Sequence, residues 1–439
     1  MYLIYDIFIH LSFILFLPYF LFKIIFVGKY RKGMLERFGF IANEKVISNK
    51  NRIWFHAVSV GETKAVMPLL KMFKQRHPDI CIIFSTTTYT GNKVARDYGI
   101  GCMDSIIYFP LDFSWVVKRV VDKINPKALI VVEKEIWPNI LNVLNSKGIP
   151  IIVVNGKISD RSFKRYVFSG FFFKRIFQNI TAFCGQTNKD CERAVKVGID
   201  PKRIFVTGNI KFDMETQSLN YDEKEKIMQT MGITNSDIVF AAGSTHKGEE
   251  DIILDVFGRL KNEIKNLKLI IAPRHPERFK EVENLIKNKG FSFLKRTESL
   301  NPQLSPAYNL QGQATLNSYD VIFLDTIGEL GKIYSLANAA FVGGSLVNVG
   351  GHNLLEPALH KKPVIFGPHI QTFSEGADML TKGGGGIMVK DSNELEERLR
   401  QIFLHDSLAQ KIGEAGYKVI ELNRGAAEKS LEIIERVMS

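Results

Sequence analysis

The chain has 439 residues, 45% of them hydrophobic and 24% charged, with 58 Lys and Arg against 46 Asp and Glu. That composition excludes a disordered chain, a collagen-like fibre and a polytopic membrane protein, and the length favours two or three domains that each bury a core. The net charge of +12 points to an anionic partner: nucleic acid, a phosphorylated small molecule or an acidic membrane surface.

The N-terminal segment comes first. Ile7 to Phe22 carry one ionisable residue, His10, and apolar character resumes from Ile24 to Val27. From Tyr2 to Val27 the segment is long enough to span a bilayer with tilt. A cleavable signal fits less well, because a positive n-region and a small-residue cleavage site are both missing. Lys29, Arg31, Lys32 and Arg37 follow, so the positive-inside rule puts everything after residue 28 in the cytoplasm. The alternative is a buried or interfacial helix that never crosses. Residues 1–28 are therefore expected to form a membrane anchor.

From Asn51 onward short apolar runs alternate with amphipathic stretches. Arg52 to Val58, Ile80 to Ser85, Ala128 to Val132 and Ile149 to Val154 read as strands, and Ile204 to Thr207 as the last strand of this half. Glu62 to Gln75, Tyr89 to Asp97, Phe113 to Lys123 and Trp137 to Lys147 read as helices between them. The pattern restarts with strands at Ile238 to Ala242, Leu267 to Ala272, Val321 to Leu324, Ala339 to Val342 and Val364 to Phe366. The intervening helices are expected at Gly248 to Lys261, Pro276 to Asn288, Gly328 to Ala337 and Asn353 to Leu359, with closing helices at Leu395 to Phe403 and Leu408 to Val437. Such βα alternation predicts an α/β chain of two doubly wound parallel-sheet domains, 29–215 and 216–439, joined by the polar linker Glu215 to Glu225 and facing each other across a cleft. Ligands of such sheets gather beyond the carboxyl ends of the strands.

The loops that follow those strands hold the candidate chemistry. In His56-Ala57-Val58-Ser59-Val60-Gly61-Glu62, the glutamate enters the first turn of a helix, whose dipole favours its ionised form. It suits a general base, or simply a helix cap. Glu133 and Glu135 follow a buried strand, just before Trp137-Pro138 starts a helix; they either face the cleft or complement the helix dipole. Lys211, in Gly208 to Asp213, is either a cation for a phosphate leaving group or a solvated lysine.

The second half offers anion sites. Pro273 and Arg274 follow a strand, and Arg274 suits phosphate or carboxylate. Gly328, Glu329 and Leu330 open a helix. Gly343-Gly344-Ser345 and Gly350-Gly351-His352 precede the helix that begins at Asn353, Leu354, Leu355 and Glu356; glycines bring backbone N–H groups to a ligand, and Glu356 is placed to accept ribose hydroxyl protons. These loops are neither GxGxxG nor a P-loop. Gly383 to Gly386 reads as a flexible turn. A basic and aromatic stretch, Lys157 to Phe177, interleaves Lys157, Arg161, Lys164, Arg165, Lys174 and Arg175 with seven aromatic rings. It suits a phosphorylated lipid at a bilayer, or is an amphipathic helix with a solvated basic face. Without a recognisable base-reading motif, nucleic acid is not expected as a partner. The four cysteines form no CxxC pair and no zinc spacing, and read as small buried residues of a reducing compartment.

Taken together, these motifs resemble the 3-deoxy-D-manno-octulosonic acid (Kdo) transferases of lipopolysaccharide synthesis. The resemblance runs from Met34-Leu35-Glu36-Arg37-Phe38-Gly39 to the C-terminal helices and includes Glu133 to Asn139, Asn155 to Ser162 and Gly243-Ser244-Thr245-His246. It implies a GT-B fold and inverting transfer of Kdo from CMP-Kdo to the lipid A precursor lipid IVA, without a metal or other cofactor. It also implies action at the cytoplasmic side of a bacterial inner membrane. The resemblance assigns the base to Glu62, transition-state support to Glu133 and Lys211, and CMP contacts to Pro273, Arg274, Gly328 to Leu330 and Asn353 to Glu356. Lys134 departs from the pattern, since a neutral residue is expected between the two acids. The alternatives are another GT-B sugar-nucleotide transferase and a non-catalytic, membrane-tethered binding protein.

Overall fold

The structure is a computed structural model and describes residues 1–26, 32–46, 51–133, 135–215, 219–300 and 319–439. It separates into two compact units, Met1–Glu215 together with Asn423–Ser439, and Thr216–Leu422.

The first unit is built on strands β1 (Arg52–Ala57), β2 (Cys81–Thr86), β3 (Ser105–Tyr108), β4 (Leu129–Val132), β5 (Ile151–Gly156), β6 (Ala182–Gly185) and β7 (Ile204–Val206). All pair in parallel, in the order β3-β2-β1-β4-β5-β6-β7. The strands are apolar on both sides because both faces are covered. Alternate residues go to opposite cores. Trp54, Ile83, Leu129, Val131, Ile151 and Val153 pack on one face with Val117, Val120 and Val121 of helix Ser114–Ile124. Phe55, Phe84, Ile130 and Val132 pack on the other with Val66, Leu70 and Phe73 of helix Val60–Arg76.

The second unit repeats the plan with β8 (Ile238–Thr245), β9 (Leu267–Pro273), β10 (Phe293–Lys295), β11 (Val321–Phe323), β12 (Ala339–Val342), β13 (Val364–Phe366) and β14 (Gly386–Met388). The order is β10-β11-β9-β8-β12-β13-β14, again all parallel. In the first sheet the strand order reverses between β1 and β4; in the second it reverses between β8 and β12, with β11 set between β9 and the edge strand β10. Those reversals open a crevice at the carboxyl ends of the flanking strands.

Several expectations are corrected. Leu408 to Val437 is not one helix. Asp406–Leu422 ends, Gly425 takes φ +97°, and a separate helix Ala426–Met438 returns to the first unit. The returning helix carries its own apolar stripe, Ala427, Leu431 and Ile434, which completes the core beneath Val60–Arg76. The second unit thus ends at Leu422 rather than at the last residue. The linker is shorter than expected, since Asn220 caps a helix that already begins at Tyr221; residues 216–218 lie outside the described set. Gly383 to Gly386 is not only a turn, for Gly386 opens β14. The strands β3, β6, β10 and β14 have only three or four residues, too few to show an alternation. The helix expected at Gly328 to Ala337 is one turn, Leu330–Ile333, running into a 3₁₀ turn, and the one expected at Asn353 starts at Leu355. The basic and aromatic stretch forms two helices, Asp160–Phe168 and Gly170–Phe177.

Candidate functional site

Glu62 and Glu133 leave the sheet on either side of the first reversal, from β1 and β4. Ser59 caps the helix Val60–Arg76, its hydroxyl accepting the Glu62 N–H. The Glu62 carboxylate turns back and accepts the Val58 N–H at 2.6 Å through Oε2. This folds the side chain into the protein, where only 8% of the residue remains exposed. Burial, and next the charge of Glu133, push its carboxyl up to about 7. The helix dipole by itself favours the ionised form, but desolvation and a neighbouring acid outweigh that dipole and the Val58 hydrogen bond.

Glu133 sits at the end of β4 with φ +65°, in the left-handed region. Its Oε1 meets Lys211 Nζ at 2.8 Å. Lys211 is carried on the 3₁₀ turn Ile210–Asp213, where the Asn209 side chain accepts the Lys211 N–H at 3.0 Å. Glu135 receives the Trp137 indole N–H at 2.9 Å. Its charge also raises the Glu62 carboxyl, so all three acids share one neighbourhood. Lys134, and with it the charge balance expected there, lies outside the described residues.

Asn155, whose role no local sequence pattern singles out, organises this group. It is the penultimate residue of β5, at φ +56°, and its Oδ1 accepts the Ile210 N–H at 3.1 Å. Its Nδ2 approaches Glu133 Oε1 at 3.5 Å, and its carbonyl accepts Gln186 Nε2 at 3.0 Å. In sequence it is marked only as an amide near the end of an otherwise apolar strand. His56, by contrast, is fully buried, stacked on Phe109 at 3.7 Å, and pushed down to about 3 by burial. It is a neutral packing residue.

In the second unit Pro273 ends β9, and the Arg274 N–H bonds to the Thr245 carbonyl at 3.0 Å. The Arg274 charge, after burial, helps hold His352 down at about 4. His352 Nε2 lies 2.8 Å from His246 Nε2, and the rings stack at 5.0 Å. His246 is also down at about 4, from burial and then from His275 and Arg274. Both rings are therefore neutral at pH 7.

The glycine loop after β12 is not the open anion site that was expected. Buried Glu249 already occupies it, accepting the N–H groups of Gly344 (2.7 Å), Ser345 (2.9 Å), Leu346 (2.9 Å) and His246 (2.9 Å). Gly343 is required by close approach, since a Cβ there would lie 2.5 Å from the Ser244 carbonyl oxygen. An internal carboxylate thus fixes this turn. Beyond it, Asn353 accepts the Leu355 N–H at 3.1 Å and donates to Glu356 Oε1 at 3.2 Å. Gly328 takes φ +96°, Glu329 pairs with Arg296 at 2.9 Å, and Leu330 starts its helix. The expected donor residues therefore sit on the loops that follow β9, β11 and β12.

Residues 32–214 match the family described as 3-Deoxy-D-manno-octulosonic-acid transferase (kdotransferase). The 3-deoxy-D-manno-octulosonic acid transferase of Haemophilus influenzae is 34% identical over 412 residues, which cover 93% of this chain and 92% of that protein. The transferase of the same name from Chlamydophila psittaci is 35% identical over 394 residues, covering 89% and 86%. A glycosyltransferase from Rickettsia africae has a TM-score of 0.58 at 15% identity, covering 89% of this chain and 100% of that one, a likeness of fold alone.

Proposed function

The chain belongs to the 3-deoxy-D-manno-octulosonic acid transferases and is a glycosyltransferase of the GT-B fold, and from that premise we propose that it moves Kdo from CMP-Kdo to lipid IVA with inversion at the anomeric carbon. The observation that carries the mechanism is a buried carboxyl raised to about 7, Glu62, beside the Lys211–Glu133 ion pair. An ordinary carboxylate is a weak base toward a sugar hydroxyl. One poised near the working pH accepts that proton more readily. Glu62 takes the proton as the acceptor oxygen attacks the anomeric carbon. The bond from that carbon to the CMP phosphate oxygen breaks, and its electron pair leaves with CMP. Lys211 offsets the negative charge growing on the phosphate, and Glu133 fixes the ammonium in place.

The donor is held by Pro273, Arg274, Gly328, Glu329, Leu330, Asn353, Leu354, Leu355 and Glu356. Arg274 supplies a fork for phosphate or carboxylate. Glu329, whose carboxylate is engaged by Arg296, serves through its backbone, and Glu356 accepts ribose hydroxyls. The anionic acceptor accounts for the basic stretch 157–177, and the apolar helix Tyr2–Ile25 holds the enzyme at the cytoplasmic face of the inner membrane.

Incubation with lipid IVA and freshly generated CMP-Kdo is expected to raise the lipid mass by whole Kdo units, read by mass spectrometry. Glu62→Ala is expected to lower turnover by about 10²- to 10⁴-fold, the usual contribution of a general base, while CMP binding and the circular dichroism spectrum persist. Undiminished turnover in that variant would falsify the assignment of the base. Competition by UDP but not CMP would overturn the donor.

A further inference from the structure

The helix Tyr2–Ile25 is long and apolar enough to cross a bilayer, at about 1.5 Å per residue and so about 36 Å in all. Its first half, however, is fastened along the first unit. The Asp6 carboxylate accepts the Ser114 N–H (2.9 Å), the Ser114 hydroxyl (2.7 Å) and Asn139 Nδ2 (2.7 Å). The Tyr5 hydroxyl donates to Asp112 at 3.1 Å, and the Tyr2 hydroxyl accepts Asn179 Nδ2 at 2.9 Å. One turn further on, His10 packs on Phe113 at 4.4 Å, and in the turn after that Phe13 packs against Phe113 at 5.3 Å and Phe38 at 6.1 Å. These contacts recur every three or four residues, along one stripe.

Ile14 to Ile25, the part beyond the fastened stretch, measures about 18 Å, short of the roughly 30 Å of a hydrocarbon core. Crossing would require the stripe to detach and Asp6 to enter hydrocarbon with three hydrogen bonds lost. The opposite stripe, Leu3, Ile4, Ile7, Phe8, Leu11 and Leu15, is exposed. Tyr5, on the fastened side, lies 5.9 Å from Phe172, so the first turns of the N-terminal helix run beside helix Gly170–Phe177. At the corner between that helix and Asp160–Phe168, Phe168 and Phe171 are 92% and 86% exposed. Lys164, Arg165, Lys174 and Arg175 flank them, all exposed, and residues 161–177 contain no acid. An apolar band edged by cations matches an anionic lipid surface.

We propose that this helix does not span: it lies in the plane of an anionic membrane surface, with the Phe168–Phe171 corner inserted beside it. The inference rests on the membrane association proposed above, and the test separates the two. A hydrophilic extension carrying one cysteine is added ahead of Met1. All four native cysteines are buried, so the labelling background is low. In spheroplasts the extension should react with a membrane-impermeant maleimide only after the inner membrane is breached. Labelling in intact spheroplasts overturns the in-plane arrangement and leaves membrane association standing. Purified protein should float with phosphatidylethanolamine–phosphatidylglycerol vesicles; failure to float removes the membrane association itself. Phe168→Ser combined with Phe171→Ser should weaken flotation about tenfold or more while the thermal midpoint stays put, since burying even one aromatic ring in lipid is enough for that change. Unchanged flotation rejects the corner as part of the membrane face.

Discussion

Glu62 works under two opposed local influences. Its place in a first helical turn favours ionisation, whereas its burial and the nearby Glu133 oppose it and prevail. Between the ordinary glutamate value and about 7, the folded protein therefore holds a proton at Glu62 that the unfolded chain releases. Stability from this group is fully present below about 4.5 and is lost as pH rises through about 7. Glu62→Gln cannot ionise and escapes that penalty. Its stability at pH 8 should exceed that of the parent by about 1–3 kcal/mol, with the gap closing toward pH 4, as denaturant melts at both pH values would report. The parent's kcat/KM should rise with pH through about 7, because the base must be ionised to act. A flat profile over pH 5.5 to 8.5, with chemistry limiting, would count against that role. Neighbouring backbone is specialised as well: Glu133 and Asn155 both take positive φ, a conformation that costs an ordinary residue about 1–2 kcal/mol and is retained where surrounding structure demands it.

At the scale of elements, the turn Ile210–Asp213 joins two tasks. Lys211 points to Glu133, and two residues later Asp213 accepts the N–H groups of Gly425 and Ala427, each at 2.6 Å. That carboxylate caps the helix Ala426–Met438 from outside its own sequence neighbourhood. Asp213→Ala should cost about 1–2 kcal/mol, the usual loss of a helix cap, and lower the urea midpoint with little change in slope. A start signal that lies within the same element was readable, as with Pro138 opening Pro138–Ser146. The Asp213 cap was not, because its donors lie more than two hundred positions away. Glu249 was hidden in the same way. In sequence it is an acid at the start of a helix, and only folding brings it under the backbone of Gly344 to Leu346.

For the whole molecule, the first unit is discontinuous. Leu431 and Ile434 are fully buried against it, and each contributes about 1.5–3 kcal/mol on burial. That sum is a large part of the 5–15 kcal/mol that usually holds a domain together. A chain ending at Leu422 should therefore expose Phe73 and its neighbours and lose the first unit to limited proteolysis, while fragments from the second unit persist. Mass spectrometry of the digest identifies which unit survives; equal survival of both would show that the returning helix is dispensable.

Periodic and local features were legible in the chain before folding. Alternating strands and amphipathic helices disclosed two doubly wound units, and the loops after β1 and β4 yielded Glu62 and Glu133, because such folds place their chemistry at strand ends. The motif resemblance disclosed the family. The rest emerged only on folding, for each feature depends on contacts between distant segments. It buried Glu62 deeply enough to reverse the effect of the helix dipole, filled the glycine loop with Glu249, and brought the last helix back to the first unit. It also fastened the N-terminal helix along that unit through Asp6. Hydropathy measures only how apolar a segment is; what it lies against is set by partners that no local pattern encodes.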